Sequence, residues 1–252
     1  MSAGAVAGGV PFLDLAAQDR VIGAALRAAL AEVMAAQQFV LGPVTARFEA
    51  AIATYVGARH AVGVGSGTDA LLLGLQALGV GPGTRVITTA FSFFATASTI
   101  ARLGAQPVFA DIDPVTFNLS PASVTAAFDA APGPVAGIVP VHLFGRLADM
   151  DGLRAVATAR GAWVLEDAAQ AIGAQRDGYH AGVLGEAGCF SFYPTKNLGG
   201  AGDGGMLVTN DDDLATRVRR DRHHAQTAPY VHAGLGMCSR LDALQAAVLE
   251  VK

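Results

Sequence analysis

The sequence predicts an α/β fold: a mostly parallel sheet covered by helices on both faces. Two observations predict it. Short apolar runs alternate with longer amphipathic ones along the chain, and that alternation is how a parallel sheet with crossover helices reads in sequence. The 252 residues contain no internal repeat and no low-complexity linker, so one large core is expected.

The elements follow in order. MSAGAVAGGV (1–10) reads as a loose leader, because it lacks the basic start of a signal peptide. Helices are expected near 18–36 and 45–56, where apolar residues recur with helical period. HAVGV (60–64) is a strand that runs into a glycine turn, and the turn opens a helix near 68–79. RVITT (85–89) and PVFAD (107–111) are strands around a helix near 92–103. VAGIVPV (135–141) and WVLED (163–167) are strands, with helices near 121–130 and 149–160. CFSF (189–192) and GMLVTN (205–210) are the last strands, followed by helices near 212–222 and 240–252.

Composition excludes several classes. Hydrophobic residues make up 52% and charged residues 15%, which is a globular balance rather than a disordered one. No run of about 18 uncharged apolar residues exists to form a spanning helix. The net charge of −4 argues against a nucleic-acid partner. The basic cluster RVRRDRHH (217–224) reads as the solvated end of a helix opened by NDDD, acids first and bases last. Cys189 and Cys238 form no CxxC, so neither a disulfide framework nor a metal site is expected, and a reducing cytoplasm fits.

Four polar clusters fall at strand ends, where open α/β sheets bind ligands. In GVGSGTDALLLGLQALG, the N–H groups of Gly67 and Thr68 start a helix and suit a phosphate. Gly65, Gly67 and Ala70 also fit a dinucleotide fingerprint, but the next strand ends Thr88-Thr89-Ala90 without the acid that a ribose needs. A tight turn with no ligand is the plain alternative. In EDAAQ (166–170), Asp167 ends an apolar strand and can hold a proton on a ring nitrogen, while Gln170 offers a carboxamide. Taken alone, Asp167 reads as a helix cap. Phe91, Phe93 and Phe94 supply one ring to stack on a flat ligand and two for the core. Lys196 stands among glycines and aromatics in SFYPTKNLGGAGDGG. Burial there disfavours an ammonium, and a neutral amine attacks carbonyls. Phosphate, flat ring, basic ring nitrogen and aldehyde together describe pyridoxal 5′-phosphate (PLP).

The stretches PFLDL, FVLGPVTARFE, GVGSGTDALLLGLQALGVGPG, VITTAFSFFATA, GAQPVFADID, VPVHLFGRLADMD, EDAAQAIGA, FSFYPTKNLGGAGDGG and RLDALQAAVL carry a family resemblance. From Pro11 onward the chain resembles the DegT–StrS nucleotide-sugar aminotransferases, a branch of the fold-type-I PLP enzymes. The resemblance implies a fold-type-I large domain over 11–252 with an N-terminal helical segment; the family continues into a smaller C-terminal domain, which is expected to be absent here. It implies that Lys196 attaches the cofactor, Asp167 pairs with the pyridine nitrogen, Gln170 bonds the ring hydroxyl and Phe93 stacks on the ring. Gly67, Thr68 and Ser191 would hold the phosphate. The implied reaction moves an amino group from glutamate or glutamine to a nucleotide-linked keto-sugar, in a homodimer. The alternative is a truncated PLP-binding or dimerising remnant. Sugar-dehydrating relatives carry histidine in place of the lysine, and Lys196 argues against that branch. In GMCSRLD the chain has Cys238 where the family places an asparagine that reaches the partner's phosphate, and a thiol is a weak donor.

Overall fold

A computed structural model of the chain describes residues 13–252, so the leader expected at 1–10 lies outside the described residues. Two helices come first, α1 (Leu15–Ala36) and α2 (Pro43–Val56). Asp14 caps α1 by accepting the Ala17 N–H, and Pro43 opens α2 where no backbone donor is needed. Next come β1 (His60–Val64), α3 (Gly67–Ala77), β2 (Arg85–Thr88), α4 (Phe94–Arg102) and β3 (Gln106–Phe109). They are followed by α5 (Pro121–Ala130), β4 (Gly137–Ile138), α6 (Met150–Arg160) and β5 (Trp163–Asp167). A small hairpin, β6 (Gln175–Arg176) and β7 (Tyr179–His180), leads to β8 (Ala187–Ser191) and β9 (Gly205–Thr209). Helix α7 (Asp212–Asp221), the hairpin β10 (Gln226–Ala228) and β11 (Val231–His232), and α8 (Ala243–Val251) follow.

Seven strands form one sheet in the order β1-β9-β8-β5-β4-β2-β3. All run parallel except β9, which is antiparallel to both β1 and β8. Side chains alternate across the sheet and divide the core in two. Val86, Leu165, Cys189 and Leu207 face α3, α4 and α7. On the opposite side Ile87, Ile138 and Val164 meet α5 and α6, and Phe190, Met206 and Val208 meet α2 and α8. Helix α3 lies so close to the sheet that a Cβ on Gly74 would come 3.0 Å from Leu207 Cδ1.

Among the described residues, the outer edge of β1 is closed by side chains rather than by another strand. Glu49 of α2 accepts the Gly63 N–H at 2.7 Å, and Arg222 Nη1 donates to the Gly63 carbonyl at 2.6 Å. Arg222 and Glu49 also pair directly, with Arg222 only 8% exposed. The cluster at 217–224, expected to be solvated, is therefore partly structural. Arg219 is exposed, but Arg222 is buried because an edge carbonyl and a carboxylate need its guanidinium.

Two further expectations are corrected. The strand at 135–141 shrinks to Gly137–Ile138, because proline at 140 cannot donate to the ladder; the pairing resumes only as a bridge between Val141 and Asp167. None of the three phenylalanines is core: Phe91 is 46% exposed, Phe93 74% and Phe94 79%. They occupy the turn into α4, which starts at Phe94 rather than 92, and that turn opens outward at the end of β2.

Candidate active site

Because β1, β2, β5 and β8 are parallel, their carboxyl ends meet at one edge of the sheet. A cavity of about 550 Å³ lies there. Its lining includes all seven residues singled out from sequence: Gly67, Thr68, Phe93, Asp167, Gln170, Ser191 and Lys196.

One wall is the start of α3. Ser66 caps it by accepting the Asp69 N–H at 3.1 Å, which leaves the Gly67 and Thr68 N–H groups without an intrahelical acceptor. The turn is fixed from behind. Ser239 Oγ accepts the Gly65 N–H at 3.0 Å and donates to Asp69 at 2.8 Å. A Cβ on Gly67 would lie 2.7 Å from Ser191 Cβ, and one on Gly205 would lie 2.3 Å from the Ser66 carbonyl. Glycine alone lets the helix start approach the ends of β8 and β9 this closely.

The opposite wall is the end of β5. Asp167 is 5% exposed. Its Oδ2 accepts from Thr96 Oγ1 at 2.8 Å and its Oδ1 from the Ala169 N–H at 3.2 Å. Burial pushes its carboxyl above the ordinary carboxylate value; the Thr96 and Ala169 hydrogen bonds, with nearby His142 and Lys196, pull the other way. Gln170 Oε1 accepts the Phe144 N–H at 2.9 Å, which leaves the amide nitrogen as its donor for a ligand.

Lys196 sits on the turn after β8, its N–H bonded to the Tyr193 carbonyl at 2.8 Å. The close packing expected around it is only half realised. Lys196 is half-buried, because the glycines that follow pack inward while Tyr193 and Thr195 open toward solvent. The glycine loop is gripped by α8: Gln245 accepts the Ala201 N–H at 2.8 Å, and Lys252 Nζ donates to the Gly199 carbonyl at 2.7 Å.

Sequence reading gave no role to Thr96, Ser92, Tyr193 or Asp203. Ser92, Tyr193 and Asp203 line the cavity, and Thr96 stands behind it. Nothing in sequence separates Thr96 from its neighbour Thr99, which bonds its own helix at the Ala95 carbonyl. His142, in VHLFG at a strand end, is a core histidine. It is fully buried, with Nε2 2.7 Å from Glu166 and Nδ1 accepting the Ala148 N–H at 3.1 Å.

These features fit PLP: helix N–H groups for a phosphate beside a glycine cradle that a Cβ would fill, a buried carboxylate, and an amine lining the same cavity. The chain is similar to known proteins along most of its length. It is 53% identical over 243 residues to a pleiotropic regulatory protein of Geobacillus stearothermophilus, covering 96% of this chain and 64% of that one. It is 44% identical over 240 residues to a UDP-2-acetamido-2-deoxy-3-oxo-D-glucuronate aminotransferase of Pseudomonas aeruginosa, covering 95% and 66%. The crystal structure of ntda from Bacillus subtilis with bound cofactor PMP superposes with a TM-score of 0.87 at 34% identity, covering 96% of this chain and 55% of that one. The chain thus spans about two-thirds or less of the length of these relatives. Residues 21–252 match one family throughout, and the chain belongs to the DegT/DnrJ/EryC1/StrS aminotransferase family.

Proposed function

We propose that the chain is the PLP-binding part of an aminotransferase that moves an amino group from glutamate or glutamine to a nucleotide-linked keto-sugar. One observation carries this reading: Lys196, Asp167 and the start of α3 line a single cavity. The activity named for the Pseudomonas aeruginosa relative supports the substrate class.

When bound, PLP supplies an electron sink for the bond changes at the donor's α-carbon. Gly67 and Thr68 would anchor its phosphate through the helix start, with Ser191 alongside. Phe93 would cover the ring and exclude water from one side. Gln170 would donate its amide nitrogen to the ring hydroxyl. Asp167 would hold the proton on the ring nitrogen by a charge-assisted bond. Lys196 Nζ would attach the cofactor at rest and, once released, would carry a proton between the donor's α-carbon and the cofactor's aldehyde carbon.

A cytoplasmic homodimer completes the proposal. The two free cysteines, Cys238 of them exposed, suit a reducing compartment. The exposed Phe91, Phe93 and Phe94 beside the cavity suit cover by a second copy. Borohydride reduction with PLP, followed by peptide mapping, tests the site. The label is expected on the peptide carrying Lys196, and Lys196→Ala should abolish both the label and amino transfer. A label on any other peptide would overturn the assignment.

A further inference from the structure

Thr96 does not line the cavity. It is 1% exposed, in the first turn of α4 behind Ser92 and Phe93. Three oxygens surround its hydroxyl: Asp167 Oδ2 at 2.8 Å, Ser92 Oγ at 2.9 Å and the Phe93 carbonyl at 3.2 Å. A hydroxyl has one proton to give. The shortest contact is to an acid group, and charged acceptors make the stronger bonds. The proton therefore goes to Asp167, and Ser92 Oγ–H must donate to Thr96. The opposite arrangement would set the Thr96 lone pairs against a carboxylate. The short chain Ser92 to Thr96 to Asp167 runs from the cavity wall to the carboxylate. Thr99, one turn on, spends its hydroxyl on its own helix at 2.9 Å, as helical threonines commonly do. Thr96 turns its better contact across to β5.

We propose that Thr96 is the positioning residue for Asp167, fixing the carboxylate's rotamer and holding it ionised toward the cavity, with Ser92 orienting the hydroxyl. This rests on the PLP reading above. Ala169 N–H restrains the other carboxylate oxygen, so both oxygens are held and their remaining lone pairs are left for a ring nitrogen. The ionisable groups around Asp167 are His142 and Lys196, with Glu166 beside it in β5 and Cys189 paired to it in β8. His142 is committed to Glu166, and burial keeps the Cys189 thiol protonated and uncharged; the hydrogen bonds to the Asp167 carboxylate come from Thr96 and the Ala169 N–H. Burial alone favours a protonated Asp167, and the Thr96 bond heads the contributions that oppose it.

The test is equilibrium dialysis of PLP against the full chain across the acid-to-neutral range, for wild type, Thr96→Val, Thr96→Ala and Thr96→Ser. Valine keeps the shape and removes the hydroxyl; alanine serves if valine does not fold. Both should bind PLP about tenfold or more weakly near neutrality, the cost of a lost bond to a charged group. Their loss of affinity on acidification should begin at higher pH than in wild type, because the acid is then easier to protonate. Thr96→Ser should restore both values. Hydroxyl-free variants that bind like wild type, with the same pH profile, would overturn the inference while leaving the PLP site standing. Wild type that takes up no PLP would instead remove the reading beneath it, and the inference with it.

Discussion

Gly67 and Ser191 stand so close that a methyl group on the glycine would lie 2.7 Å from the serine's Cβ and 3.1 Å from its Cα. The first turn of α3 and the last residue of β8 therefore define one another's position. Gly67→Ala must push the helix start away from the strand end. The expected result is a loss of PLP affinity of about tenfold or more, with a stability cost of about 1–3 kcal/mol for the overpacking. Dialysis and urea unfolding measure the two separately; unchanged PLP binding would remove this turn from the phosphate site.

Asp167 carries a charge that the fold does not favour. Its carboxyl pKa is raised by burial, so the folded chain holds that proton more tightly than the unfolded chain does. The stability contributed by that proton is complete below the unfolded value and is lost as pH rises through the folded one. Cofactor-free Asp167→Asn should therefore melt above wild type at neutral pH, with the gap closing as pH falls toward about 4. The same variant should bind PLP more weakly, because a neutral amide cannot hold the pyridinium charge. Differential scanning fluorimetry at two pH values checks the first claim and dialysis the second.

Glu166 accepts from four donors. Oε1 takes the Leu184 and Gly185 N–H groups at 2.6 Å each, and Oε2 takes Gly182 N–H at 2.8 Å and His142 Nε2 at 2.7 Å. His142 cannot turn acceptor there, because its Nδ1 already serves the Ala148 N–H. Glu166→Gln must aim an NH₂ group at donors on one side. A loss of about 2 kcal/mol or more is expected in urea unfolding. An equally stable glutamine variant would mean that the segment at 182–185 is not tied down through this carboxylate.

Arg222 and Glu49 predict a non-additive pair. Removing the guanidinium in Arg222→Met leaves the Glu49 carboxylate and the Gly63 carbonyl without it, at a cost of about 3–5 kcal/mol. Replacing both by apolar residues should cost less than the sum of the single changes. A double-mutant cycle by chemical unfolding decides this; strict additivity would show the two to be independent.

Much of this fold is legible in sequence because parallel strands are apolar throughout and their helices are periodic. HAVGV and WVLED stand out on that ground, and the site residues at their ends come with them. The hairpins at 175–180 and 226–232 are not legible, since their strands are two or three residues long and mostly exposed. The three phenylalanines mislead because an apolar side chain usually marks core, whereas here the turn into α4 faces outward at the cavity. Thr96 and Arg222 were invisible for another reason. Their roles depend on partners 71 and 173 positions away, and no local pattern encodes such a meeting.

The grip of α8 on the glycine loop also sets an order of events during synthesis. Strand β1 leaves the ribosome early, yet among the described residues its one neighbour in the sheet is β9. The loop after Lys196 gains Gln245 and Lys252 as its holders only when the last helix has emerged. The turn that carries the amine thus depends on contacts with residues 245 and 252, far along the chain from it. A nascent chain stalled before residue 243 would carry Lys196 on a loop without these two restraints.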